Sequence, residues 1–94
     1  MVGTGEWAPA VVPEPWVVTY DAGPEGWAIG DEDLLQATHA GRRLLVDVGW
    51  YPAEDPGGRF RVELVPDGDW EAATILAETP DVEAVLAALR SLPT

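Results

Sequence analysis

The cleanest hydrophobic alternation in the chain lies between Leu44 and Tyr51. Leu44, Val46, Val48 and Trp50 fall on one face of an extended segment, and Leu45, Asp47, Gly49 and Tyr51 fall on the other. A period of two marks a half-buried strand. Pro52-Ala-Glu-Asp-Pro-Gly-Gly58 is dense in turn residues, and beyond it Phe60, Val62 and Leu64 alternate with Arg59, Arg61, Glu63 and Val65. The two runs predict an antiparallel hairpin that pairs Trp50 with Phe60, Val48 with Val62 and Val46 with Leu64 on the core side. Asp67-Gly68, between Val65 and Trp70, is a two-residue hairpin signal, so a third strand is expected over residues 69–78.

Upstream, Trp16-Val-Val-Thr-Tyr20 is a short run of strand formers closed by the turn-like Asp21-Ala-Gly-Pro24, and Trp27-Ala-Ile29 reads as a second short strand. Asp31-Glu-Asp33 ahead of Leu34, Leu35 and Ala37, with Gly41 behind them, predicts a helix over 31–40. At the other end Thr79 reads as an N-cap, Pro80 as the first helical residue and Asp81 as an acid at the positive end of the dipole. Val82, Val85, Leu86 and Leu89 follow at helical spacing, with Arg90 in the last turn and Pro93 as the stop. Their apolar stripe is expected on the sheet face of Val46, Val48, Phe60 and Val62. Residues 1–15, with three prolines and two glycines, read as a flexible or loosely docked arm, leaving 16–94 as a single domain. The order of elements predicts an α+β fold: an antiparallel sheet, made of a three-stranded meander plus one or two N-terminal strands, packed against two helices.

Composition changes this picture in two ways. Hydrophobic residues at 47% and charged residues at 23% are ordinary for a globular domain, and 94 residues suffice for one modest core. The charge is not ordinary: seventeen Asp and Glu stand against five Arg, a formal net charge of −12. Such a field repels phosphate, so direct nucleic-acid binding is not expected; a basic protein is the natural partner. The lack of Cys fits a reducing compartment, and no apolar run has the length of a membrane span or the form of a signal peptide. A cytoplasmic protein is expected.

Catalytic chemistry finds little to work with. There is no Cys and no Lys, Ser91 and His39 are single, and no nucleophile can be set beside a base. His39 reads as a partly exposed imidazole at the end of the helix over 31–40. Asp31-Glu-Asp33 and Asp67-Gly-Asp69 share the opening of a calcium loop but lack its remaining ligands and closing Glu. Neither a catalytic residue, a metal nor a cofactor is expected; a hydrolase built on Asp47 and Glu63 is the weakest of three functional readings.

One constellation stands out. The hairpin register sets Asp47 directly across from Glu63 on the outer face, an unfavourable pairing unless something offsets it. Arg61, diagonal to Asp47, is placed to do so; the alternative is that a basic partner or cation completes the site. Tyr51, Glu54, Asp55, Asp67, Asp69 and Glu71 surround the pair in the sequence reading and give one end of the sheet a concentrated negative surface. A two-residue turn at Asp67-Gly68 puts Trp70 on the same outer face, ringed by acids in the manner of an interface hot spot, whereas a bulge in the turn buries it.

With the run Leu45-Val-Asp-Val-Gly-Trp-Tyr-Pro52, a Gly-rich hairpin, a Trp-bearing strand and a closing helix, residues 27–92 resemble the small immunity proteins of bacterial polymorphic toxin systems. The resemblance implies a protein that binds a cognate toxin domain and blocks its active site, as an acidic decoy where the toxin acts on nucleic acid. The partner-binding residues expected on the sequence's own terms are Asp47, Tyr51, Glu54, Asp55, Glu63, Asp67, Asp69, Trp70 and Glu71. The other reading is a regulatory or assembly module, monomeric or homodimeric, whose acidity serves solubility alone.

Overall fold

The alternation between Leu44 and Val65 is realised as a hairpin of two eight-residue strands, β3 (Leu44–Tyr51) and β4 (Arg59–Pro66). Trp50 pairs with Phe60, Val48 with Val62, Val46 with Leu64 and Asp47 with Glu63, the register expected from the pattern. The computed structural model describes residues 8–94. Around the hairpin, β1 (Val17–Asp21), β2 (Leu35–His39) and β5 (Thr74–Thr79) complete an open antiparallel sheet of order β1-β2-β3-β4-β5. Among the described residues three α-helices accompany it: α1 (Ala8–Val11), α2 (Gly23–Ile29) and α3 (Val82–Arg90). The fold is α+β, with one more helix than the sequence pattern predicts.

Helix α3 covers the inner face as expected. Val85, Leu86 and Leu89 are buried in one cluster with Val46, Val48, Phe60 and Val62, and Val82 packs at its margin. Its cap lies two residues later than Thr79: Asp81 Oδ1 accepts the Glu83 N–H at 3.0 Å, while Thr79 Oγ1 accepts the Asp81 N–H at 3.0 Å. The carboxylate, a strong capping acceptor, takes the helix and leaves Pro80 outside it.

Two predicted elements exchange identity. Residues 31–40 do not form a helix. Leu35, Ala37 and His39 are buried while Gln36 and Thr38 are half-buried, and this period of two forms β2 between β1 and β3. Short apolar runs are ambiguous on their own, and here pairing on both edges decides. Trp27-Ala-Ile29 is not a strand but the end of α2, which carries Pro24 in its first turn and Gly30 as a left-handed C-cap whose N–H reaches Gly26 O at 3.0 Å.

His39 is therefore a core-side residue, not an exposed helix end. Its Nδ1 accepts the Arg42 N–H at 3.2 Å, Nε2 meets Thr94 O at 3.0 Å, and the ring lies edge-on to Trp16 at 5.5 Å. Trp16 Nε1 in turn donates to Pro93 O at 2.6 Å. Of the arm expected over 1–15, residues 1–7 lie outside the described residues. In the remainder Ala8 is buried, and Val11 and Val12 pack on the core.

The Asp67-Gly68 turn forms, with both residues at positive φ and the Asp69 N–H on Pro66 O at 2.8 Å, but the third strand does not follow directly. Asp69 Oδ1 accepts the Glu71 N–H at 3.1 Å and caps a 3-10 turn over Trp70–Ala72. β5 begins only at Thr74, opposite Leu64, so the predicted pairing of Val65 with Trp70 is absent. Both edge strands shift register once, β1 between Val18 and Tyr20 and β5 opposite Val62 and Glu63. The Cα framework is 35 × 31 × 19 Å, a slab of one sheet and one helical layer.

Candidate functional site

Because paired residues share a face, the register lays out the side of the sheet that the core does not use. One cross-strand row holds Val17, Thr38, Leu45 and Val65. The next holds Tyr20, Gln36, Asp47, Glu63 and Ile75. A third holds Gly49, Arg61 and Glu78. Val17 is 61% exposed and Ile75 52% exposed, and Tyr20 is also exposed.

Asp47 is the anomaly of this face. It is only 3% exposed, and its Oδ1 accepts from Gln36 Nε2 at 3.0 Å. Burial pushes its carboxyl above the usual carboxylate range; Asp33, Glu63 and Glu32 add to the rise and the Gln36 hydrogen bond opposes it. Arg61 does not offset Asp47 through an ion pair. Its Nε is 3.0 Å from Glu78 Oε2, and its guanidinium lies 4.7 Å from the centre of the Tyr51 ring. Neither this ion pair nor Arg43–Asp67 includes Asp47 or Glu63.

Gly49 explains how Glu32 and Asp33 come to this face. A Cβ at Gly49 would collide with the Glu32 carbonyl oxygen and lie 2.9 Å from Tyr51 Cε2, so the 31–33 loop and the Tyr51 ring close over a position that must have no side chain. The loop is tied down by Trp50 N–H to Asp31 O at 3.1 Å and Leu34 N–H to Val48 O at 2.8 Å. Tyr51, thus sheltered, has its phenol pushed above its ordinary value by burial, with Asp47, Glu63, Glu32 and Asp33 reinforcing the effect.

Of the residues expected to form one acidic end, Asp47, Tyr51 and Glu63 do come together, but the others divide between opposite ends of the hairpin. Glu54 and Asp55 sit in the β3–β4 turn, where Asp55 O accepts from Trp50 Nε1 at 2.8 Å and Asp55 Oδ1 from the Gly57 N–H at 2.8 Å. Asp67, Asp69, Trp70 and Glu71 lie beyond the far end of β4, roughly 23 Å away at ~3.3 Å per strand residue. Trp70 is 52% exposed there, in accord with its exposed reading, though in a 3-10 turn and not in a strand. The pattern missed Gln36, Glu32 and Asp33 as members of the central group because 31–40 reads as a helix; the alternation from Leu35 to His39 was the signal.

Among the described residues no group of three or more His, Asp or Glu side chains converges to hold a metal ion, and no helix is long and apolar enough to cross a membrane. Compared with known proteins, the chain matches no protein-family model, no curated sequence and no solved structure.

Proposed function

We propose that this chain is a binding protein of the immunity type, which captures a cognate toxin domain with a basic active site, a nuclease or a nucleic-acid deaminase, and occludes it. The observation that carries the reading is the outer sheet face, where the buried Asp47 and the half-buried Glu63 stand opposed and, among the described residues, neither belongs to an ion pair. Like charges directly across a strand pair are unfavourable, and a buried carboxylate more so, whereas a cation brought by a partner relieves both. The net charge of −12 supports the same partner at long range, since it steers basic proteins inward and repels bare nucleic acid.

The second reading, a homodimeric regulatory or assembly module, draws on the exposed apolar residues Val17 and Ile75. Pairing this face with its own copy sets two bodies of −12 against each other, which disfavours it. Co-expression with any toxin-like domain encoded beside this chain separates the readings. A complex that purifies intact and relieves toxicity supports capture; no complex and undiminished toxicity refute it. Light scattering showing a stable dimer with no recovered partner favours the module.

A further inference from the structure

The open face carries two chemistries in neighbouring rows. Val17 and Leu45, with Thr38 between them, form a largely apolar band that continues into a depression of about 410 Å³ whose lining includes Thr38, His39, Arg43, Leu44, Leu45 and Asp67. One row along, Tyr20 and Ile75 flank the Gln36–Asp47–Glu63 line. The groups at Glu54–Asp55 and Asp67–Glu71 are less suited to docking. Asp55 and Asp69 spend their side chains on capping backbone N–H groups, and Asp67 lies 3.9 Å from Arg43.

Building on the proposed capture of a basic protein, we infer that this sheet face is the docking surface, and that its occupant is a basic segment of the partner presenting apolar side chains next to Lys or Arg. The apolar side chains meet the band from Val17 to Leu45 and its depression, and the cation meets the half-buried Glu63, beneath which the buried Asp47 adds its charge. Charge complementarity selects this occupant over a second copy, which would set the Asp47–Glu63 line against a negative surface. Apolar contact selects it over a simple polycation, for which Val17, Leu45 and Ile75 offer nothing.

Size sets a further condition. Five strands at ~4.8 Å spacing and about six residues at ~3.3 Å give a face of roughly 480 Å², short of the ~800 Å² per partner of a standard interface. The partner therefore reaches past the sheet, where the β4–β5 connection carries the exposed Trp70.

The test uses the full chain, 15N-labelled, titrated with three synthetic twelve-residue peptides: Lys/Leu, Lys/Ser and Glu/Leu. The Lys/Leu peptide is expected to shift the amides of β2, β3 and β4, to bind at least tenfold more tightly than Lys/Ser, and to lose at least tenfold in affinity in Val17→Thr/Ile75→Thr. That pair keeps β-branched residues at exposed positions, so the fold is retained. Equal binding of Lys/Ser, or shifts centred on Glu54 and Asp55 or on Asp81 and Glu83, overturns the inference. The natural complex tells failure of this surface from failure of the capture reading. A toxin complex unchanged within twofold by both Val17→Thr/Ile75→Thr and Asp47→Asn/Glu63→Gln overturns the surface and leaves capture standing.

Discussion

Asp47→Asn removes a negative charge from a side chain that is almost fully buried, without changing its shape. The new Asn Oδ1 still accepts from Gln36 Nε2, and its amide becomes a donor facing the side of Glu63. Relief of the like-charged cross-strand pair alone contributes about 0.2–1 kcal/mol, and relief of desolvation acts in the same direction. At pH 7 the variant is expected to be more stable than the parent by at least that amount, near 1–8 °C in melting temperature at ~4–8 °C per kcal/mol. The sign with pH follows from the raised carboxyl. A folded-state value above the unfolded one gives a contribution that is fully present below the unfolded value, about 3.9, and lost as pH rises through the folded value. The advantage of the variant should therefore be largest at neutral pH and shrink as pH falls through that window. Urea unfolding of both proteins between pH 4 and 7.5, compared as a difference so that the other carboxylates cancel, measures it. A variant less stable than the parent at pH 7, or a difference that does not vary with pH, refutes the view that Asp47 is held ionised against its surroundings.

Leu86→Ala, at a site 1% exposed in the cluster joining α3 to the sheet, should destabilise by roughly 2–5 kcal/mol in urea unfolding; a loss under ~0.5 kcal/mol contradicts its place in the core. Gly49→Ala drives a methyl group into the Glu32 carbonyl and the Tyr51 ring and should cost about 1–3 kcal/mol, with amide shifts centred on residues 31–34; an unchanged melt refutes the close approach. Trp70→Ala should leave the melting curve nearly unchanged while weakening partner binding by ~2 kcal/mol or more in calorimetry, and the reverse pattern would place the indole in the fold and not in the interface.

The hairpin of β3 and β4 was legible because each strand has one apolar face and one polar face, and a one-residue slip would expose the whole apolar set. The same logic makes the Asp47–Glu63 opposition legible in the sequence alone. What the pattern concealed lies where local signals compete. Asp31-Glu-Asp33 reads equally as the first turn of a helix and as a loop, and only the backbone pairing of Leu34 with Val48 settles it as the lead-in to a strand. Pro24 and Gly30 mark the bounds of α2, yet Trp27-Ala-Ile29 between them has strand-like composition. At Asp67-Gly68 the turn chemistry was correctly legible, but Asp69 offers the next residues a helical cap, and that local bond outweighs immediate strand pairing. The grouping of the acidic residues failed for a geometric reason: residues on adjacent turns of a meander lie near in sequence and a full strand length apart in space.

The register shifts in β1 and β5 have a consequence for the chain in concentrated solution. These are the two edges of an open sheet, and their sequences, Val17-Val-Thr-Tyr-Asp21 and Thr74-Ile-Leu-Ala-Glu-Thr79, are rich in residues that favour lateral strand addition. In each, a shift interrupts the ladder within five or six residues, so that neither edge offers a long, flat template to a neighbouring molecule. Like-signed bodies approaching edge to edge meet this broken template and their mutual repulsion together. The two edges of the sheet thus resist growth into fibrils.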